Sequence, residues 1–327
     1  MSALQAAAEP LAFDTINRGY NATFRSGAMT VGLVVPLEAY PTSAVPTLTD
    51  HLERVQLAEA LGFAAVWLRD VPFNVPSFGD AGQGFDPFTY LGYLAAHTRD
   101  IALGVASAIL PLRHPAHLAK AAATADVLSG GRLILGVASG DRPEEYPALG
   151  VPFDARGARF REAYAYLRAV GGRNQSLSNA YGSVTAELDL LPKPVGKRLP
   201  ILITGSSQQA PDWIAQHGDG WMTYPRSPAS QAALIDDYRG RTAAADQPPK
   251  PVMEPLYIDL DRHVDAPLRP IHLGVHAGLN GLKALLESRR AIGVNHVALN
   301  LRFNRAPIDD TLQTLASELL PAFHTPD

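Results

Sequence analysis

Leu61-Gly62-Phe63-Ala64-Ala65-Val66-Trp67-Leu68 carries the join that decides the fold: a helix closes on a glycine and the chain runs at once into an apolar, β-type run. Glycine at a helix end takes the left-handed backbone conformation without a Cβ clash, so the chain can turn sharply into a strand. Upstream, Asp50 with Glu53 three positions later has the spacing of a reciprocal cap and opens that helix. Before it, the apolar run Thr30–Val35 ends at Pro36 and completes one strand-and-helix unit.

The same punctuation recurs at Ser129-Gly130-Gly131 before Arg132–Val137, at His217-Gly218-Asp219 before Gly220–Thr223, and at Ile292-Gly293-Val294 before Asn295–Leu299. Ile101–Ala106, Pro200–Thr204 and Pro255–Leu260 are further strand candidates, giving about eight strands spread over the chain. Continuous apolar runs, rather than strict alternation, suit parallel strands covered by helices. Leu118, Ala122, Ala125 and Leu128 form one helical stripe; Leu312, Leu315, Ala316, Leu319 and Leu320 form another, behind Asp309 and Asp310, which suit a helix start. This alternation predicts an α/β chain with a single TIM-type (β/α)₈ barrel over residues 30–327, behind an N-terminal extension at 1–29. Periodicity alone also fits a doubly wound open sheet. Irregular segments at 69–85, 141–155 and 172–199 read as insertion loops, and a barrel places its site among the loops at the C-terminal ends of its strands.

With 327 residues, 46% of them hydrophobic, the chain can bury one large core. Its 28 basic and 32 acidic residues give a net charge of -4, so no basic surface advertises nucleic acid or anionic lipid, and a small-molecule partner is expected. There is no cysteine, which assigns any redox chemistry to a cofactor. The ten histidines lack His-x-His or His-Glu-x-x-His spacing, so no metal site is expected. The apolar stretch Met1–Glu9 lacks a basic flank and runs into Pro10, and no long apolar run occurs; a cytoplasmic, non-membrane protein is expected.

Two segments at strand ends have ligand chemistry. Gly136-Val137-Ala138-Ser139-Gly140 places its serine fourth, not third as in a nucleophile elbow, so Ser139 and Gly140 offer a hydroxyl and close-approach backbone to a ligand, or else form a simple turn. Ile203–Gln209 follows a strand and leads into a helix, which makes it a phosphate cradle at the positive end of a helix dipole; alternatively, Ser206 or Ser207 only caps that helix. Neither a Walker loop nor a Gly-x-Gly-x-x-Gly turn is present. Arg69-Asp70, after the second strand, reads either as an active-site pair or as an ion pair holding the next loop, and His114, before Pro115 and a helix, reads as structural.

The run Ile101–Pro115, followed by Ala125–Val137, resembles the third and fourth strands of the luciferase-like monooxygenase superfamily, and Gly62–Asp70 and Thr204–Gln209 are similar to its luciferase-type oxidoreductases. The resemblance covers residues from about 30 to about 320 and implies a (β/α)₈ barrel that binds FMN, or in some branches coenzyme F420, at the C-terminal strand ends. It implies a non-proline cis peptide at Ala106-Ser107 behind the flavin ring, and a phosphate held by Ser139, Gly140, Gly205, Ser206 and Ser207, with Gln209 beside them. Bacterial luciferase has an arginine where Ser139 stands, and a histidine after the second strand where this chain reads Arg69-Asp70, so light emission is not implied.

The activity implied is that of a two-component monooxygenase: a separate flavin reductase supplies reduced FMN, and the barrel uses O₂ to oxygenate a small organic substrate, with Arg69, Asp70 and Thr223 as candidate catalytic residues. F420-dependent hydride transfer is the alternative, although no basic cluster for the glutamyl tail of F420 is visible. A non-catalytic flavin-binding protein is a third. The family is commonly dimeric, so a homodimer is expected.

Overall fold

The computed structural model describes residues 11–173 and 175–324; the Met1–Glu9 stretch lies outside the described residues. Eight parallel strands form the barrel: β1 Thr30–Val34, β2 Ala65–Leu68, β3 Ala102–Ile109, β4 Leu133–Ala138, β5 Ile201–Thr204, β6 Gly220–Met222, β7 Val252–Leu260 and β8 His296–Asn300. Each pairs with the next, and β8 also pairs with β1 through Thr30 and His296, which closes the sheet and rules out the open alternative. A short hairpin, Arg269–Ile271 with Gly274–Ala277, adds a further parallel partner along Tyr257–Leu260 of β7.

Between the strands run α2 His51–Ala60, α3 Pro87–His97, α4 Pro115–Leu128, α6 Arg156–Gly171 (after a one-turn α5, Glu145–Ala148), α7 Pro211–His217, α8 Pro228–Ala244 and α9 Leu279–Ala291, with α10 Ile308–Thr314 after β8. The outward faces of the strands pack on these helices in the larger core, whereas Val34, Trp67, Ile134, Leu202, Met222, Met253 and Ala298 fill the barrel interior. Trp67 fits because its paired neighbour on β3 is Gly104, where a Cβ would lie 2.1 Å from the indole ring.

The described part of the extension, including α1 Arg18–Thr23, stoppers the N-terminal end of the barrel with Ile16, Tyr20 and Phe24. Asn17 caps α1 by accepting from the Tyr20 amide (2.9 Å) and donates to Asp126 Oδ1 (3.0 Å) and the Leu133 carbonyl (2.8 Å). The Tyr20 hydroxyl donates to the Asp219 carbonyl at 2.7 Å. Trp67 Nε1 donates to His296 Nε2 (2.9 Å), and His296 Nδ1 meets Thr30 Oγ1 (2.7 Å), whose own proton goes to the Thr23 carbonyl. Burial holds the His296 imidazole neutral, with its pKa down at about 3.

Several local expectations change. Asp50 is left-handed at φ 55° with no side-chain cap bond, so the reciprocal cap with Glu53 does not form; Asp50 instead sits 3.5 Å from Arg54. Gly62 and Gly293 take the left-handed turn at φ +86° and +96°, but Gly218 is extended at φ -66° and needs no such freedom. Leu128 is 61% exposed because α4 ends there and turns away from the core. The C-terminal leucines are buried as expected, but past Thr314 the helix loosens into a π-turn and then a 3₁₀ turn.

Candidate active site

Strand pairing brings the candidates of β3 to β6 together at the C-terminal mouth. Ser139 and Gly205 each lie two residues beyond the paired Val137 and Ile203. Gly205 N donates to the Met222 carbonyl at 2.8 Å, and Thr223 N to the Met253 carbonyl at 2.8 Å, so Thr223 ends β6 one strand further round. The Ala106-Ser107 peptide is cis, within a stretch where the β3–β4 register shifts. Ser107 Oγ hydrogen-bonds Thr204 Oγ1 across the interior and lies 3.7 Å from Met222 Sδ.

The turn after β5 differs from the sequence expectation. Helix α7 begins only at Pro211, so neither Ser206 nor Ser207 caps it, and a helix of seven residues starting with proline offers no anion site of its own. The open donors lie in the turn itself. Gly205, Ser207 and Gln208 all have positive φ (55°, 45° and 60°), and among the described residues the Ser206, Ser207 and Gln208 amides have no acceptor. Successive unpaired N–H groups in such a turn form an anion-binding concavity. Ser207 Oγ is committed to the Thr204 carbonyl at 2.7 Å, whereas Ser206 is exposed and its hydroxyl has no partner among the described residues. Gln209 is fully engaged: Nε2 donates to the Gly157 carbonyl (2.8 Å) and Oε1 accepts from Arg161 (2.9 Å), which pins the turn against α6. Across from it Gly140 is left-handed (φ +77°) and fits under Tyr146, whose hydroxyl donates to the Ser139 carbonyl; Ser139 is largely buried, and its hydroxyl has no partner among the described residues.

Arg69 and Asp70 do not pair with each other, because successive side chains leave a strand end in opposite directions. Asp70 turns into the wall, where Arg113 holds it from Nε (2.9 Å) and Nη2 (2.7 Å) and the Ile109 amide donates at 3.1 Å; it pins the end of β3. Arg69 turns to the mouth and meets Asp80 at 2.5 Å. Asp80, unremarked in the sequence, also takes Arg302 at 3.2 Å, the Tyr40 hydroxyl at 3.1 Å, the Gly82 amide at 2.9 Å and, more distantly, Tyr257 at 3.4 Å. Burial alone would raise the Asp80 carboxyl, but Arg69, the Gly82 amide and Arg302 outweigh it and hold it below the usual range. Burial pushes the Tyr40, Tyr257 and Tyr224 phenols up, so all three stay protonated.

Arg142 also escaped sequence reasoning, although it adjoins Asp141 in an irregular segment. It lies 4.8 Å over the Phe78 ring and donates to the Asp80 carbonyl at 3.1 Å, so segments 69–85 and 141–155 wall one side of the mouth together. Arg302 had no sequence signal at all. Thr223 is buried, and its hydroxyl accepts from Arg226 at 2.8 Å. His114 caps α4, accepting from the Ala116 amide at 3.2 Å. Among the described residues, no group of three or more His, Asp or Glu side chains is placed to hold a metal ion, and no helix is long and apolar enough to cross a membrane.

A closed parallel barrel whose polar groups gather at the C-terminal strand ends defines a (β/α)₈ enzyme that takes its ligand there. The family model described as luciferase-like monooxygenase matches residues 29–258, and the chain belongs to that family, whose members include flavin- and F420-dependent oxidoreductases. An uncharacterized protein of Mycobacterium tuberculosis is 33% identical over 187 residues, which are 52% of this chain and 66% of that protein. The F420-dependent glucose-6-phosphate dehydrogenase of Beutenbergia cavernae is 33% identical over 178 residues, 53% of this chain and 52% of its own. The chain thus spans between half and two thirds of the length of these relatives. The crystal structure of monooxygenase RslO1 from Streptomyces bottropensis superposes with a TM-score of 0.76 over 90% of this chain and 100% of its own; at 21% identity it speaks to the fold alone.

Proposed function

We propose that the chain is the oxygenating component of a two-component monooxygenase, receiving reduced FMN from a separate reductase and using O₂ on a small organic substrate. The supporting observation is the run of amides at Ser206, Ser207 and Gln208, unpaired among the described residues, at the strand end next to that of the likewise unpartnered Ser139 hydroxyl, a donor set suited to a phosphate dianion. Bound reduced FMN would supply the electrons that activate O₂. In this reading Ser139, Gly140, Gly205, Ser206 and Ser207 hold the phosphate, Gln209 keeps the turn in place, and Ala106 and Ser107 back the ring. Arg69 and Thr223 face the substrate side, Asp70 fixes the β3 end, and segments 69–85 and 141–155 keep water from the reacting centre.

Titration with FMN, reduced FMN and F420 tests this, with Ser139→Ala combined with Ser206→Ala as the comparison. Saturable binding of reduced FMN, weakened about tenfold or more in the double variant, is expected. The similarity to an F420-dependent dehydrogenase favours a second reading, hydride transfer from F420. Binding of F420 and not FMN would establish that reading instead, and binding of neither would remove both.

A further inference from the structure

We propose that the substrate is an organic carboxylate, and that the side-on edge of Arg69, its Nε and Nη2, recognises it at the barrel mouth. The inference rests on the mouth being the substrate side of the site. Arg69 uses only Nη1, on Asp80; among the described residues Nε and Nη2 have no acceptor, and the side chain is 22% exposed. Those two donors form the parallel pair of N–H groups that matches the two oxygens of a carboxylate, so the half of the guanidinium left open is the bidentate half.

The group is held ready for this. Asp80 fixes the guanidinium plane, and Asp80 is itself fixed by Arg302, Tyr40 and the Gly82 amide. Through Asp80, Arg69 is tied to groups from around the mouth: Tyr40 beyond β1 at 3.1 Å from the Asp80 carboxylate, Arg302 beyond β8 at 3.2 Å, Tyr257 on β7 at 3.4 Å and, on the Asp80 carbonyl, Arg142 beyond β4 at 3.1 Å. The guanidinium therefore lies over the opening and not on the outer wall. Arg142 adds a second cationic group that lacks a full set of partners: it is 94% buried, its Nη1 has no hydrogen bond, and the Glu145 carboxylate stands 3.8 Å away. Burial and the charge of Arg69 both lower the Arg142 guanidinium from its ordinary range, and Glu145, Asp141 and Asp80 only partly offset them.

Arg302 is different, since its donors go to Asp80 and to the carbonyls of Ser43 and Gly79; it belongs to the scaffold. Among the described residues no acid bonds the Nε and Nη2 edge of Arg69; Asp80 is engaged on the far side, at Nη1.

The test is the thermal shift and titration calorimetry of the whole protein with acetate, hexanoate, benzoate and phenylacetate, each paired with its primary amide. The wild type is expected to bind at least one carboxylate about tenfold or more tightly than its amide. Arg69→Gln loses that preference, and Arg69→Lys, which keeps the charge but not the fork, lies between. Equal binding of acid and amide, or of neither, across the panel in the wild type overturns the proposal whether or not the variants fold. FMN and F420 affinities of Arg69→Gln are measured in parallel and should be unchanged. If they fall while the acid preference stays, the edge serves the cofactor and the proposal is wrong, with the flavin reading intact. If the wild type binds no cofactor yet prefers carboxylates, the flavin reading fails and this one stands.

Discussion

At the N-terminal end of the barrel Asn17, Tyr20, Thr30, Trp67 and His296 all have hydrogen-bond partners, in a plug sealed by Ile16 and Phe24. At the C-terminal end, among the described residues, two donors of Arg69, the hydroxyls of Ser139 and Ser206 and three successive amides have no partner. The strands are the same, and only the direction of the chain distinguishes their ends. Buried polar groups without partners cost about 1–3 kcal/mol each; the plug leaves the Thr23 hydroxyl in that state, whereas the open donors of Arg69 and Ser206 at the mouth reach solvent, where a ligand can take them.

The largest expected contrast is in folding stability. Trp67→Ala removes a fully buried indole from the barrel interior and strips His296 Nε2 of its donor, and should cost about 3–5 kcal/mol by denaturant unfolding. Gly104→Ala, whose new Cβ would sit 2.1 Å from the same ring, should cost about 1–3 kcal/mol. If either loss is under half a kilocalorie, the interior is not packed as described.

The second contrast sets this interior against the outer helix layer, and pH separates them. His296 stays neutral in the fold down to about 3, against 6.5 unfolded, so the unfolded chain binds a proton that the fold refuses and stability falls as the pH drops below 6.5. Glu254, on the outward face of β7, has its carboxyl pushed up to about 7 from 4.5 by burial, which Arg289 at 3.2 Å and Gln231 at 2.9 Å only partly offset. The fold then keeps a proton the unfolded chain has lost, so this contribution weakens as the pH rises from 4.5 through 7. Between 4.5 and 6.5 these two contributions oppose each other. Relative to the wild type, Glu254→Gln should add a slope of up to about 1.4 kcal/mol per unit by which stability rises with pH there, and His296→Gln a slope of the opposite sign. Parallel profiles in the two variants would remove this account.

How much of this was legible in the sequence follows the same division. Helix-glycine-strand joins and apolar runs are local and periodic, so the alternation of strands and helices could be read directly, as could the position of Ser139, Gly140 and the 205–209 turn at strand ends, but not the closure of the sheet. Asp80, Arg142 and Arg302 could not. Each lies in an irregular stretch or at an unmarked strand end, and they meet only because β2, β4 and β8 open onto one mouth; no spacing in the chain encodes that meeting. That Asp70 pairs with Arg113 and not with Arg69 was illegible for the converse reason, since adjacency says nothing about which side of the strand end a residue faces. The plug was missed because α1 has only six residues and too little periodicity to register.

The smallest effects give the sharpest test, because they compare polar groups of similar size at opposite ends. Asn17→Ala removes a helix cap and leaves Asp126, already pushed up by burial, without one of its donors, so a loss of about 1–3 kcal/mol is expected. Ser206→Ala and Tyr224→Phe remove hydroxyls that bond to no described residue, and each should change unfolding stability by no more than about 0.5 kcal/mol. For Ser206→Ala the loss should instead appear as weaker cofactor binding at unchanged stability. If the Ser206 variant is destabilised as much as the Asn17 variant, its hydroxyl is part of the scaffold, and the open donors at the mouth lose their reading as a site left for a ligand.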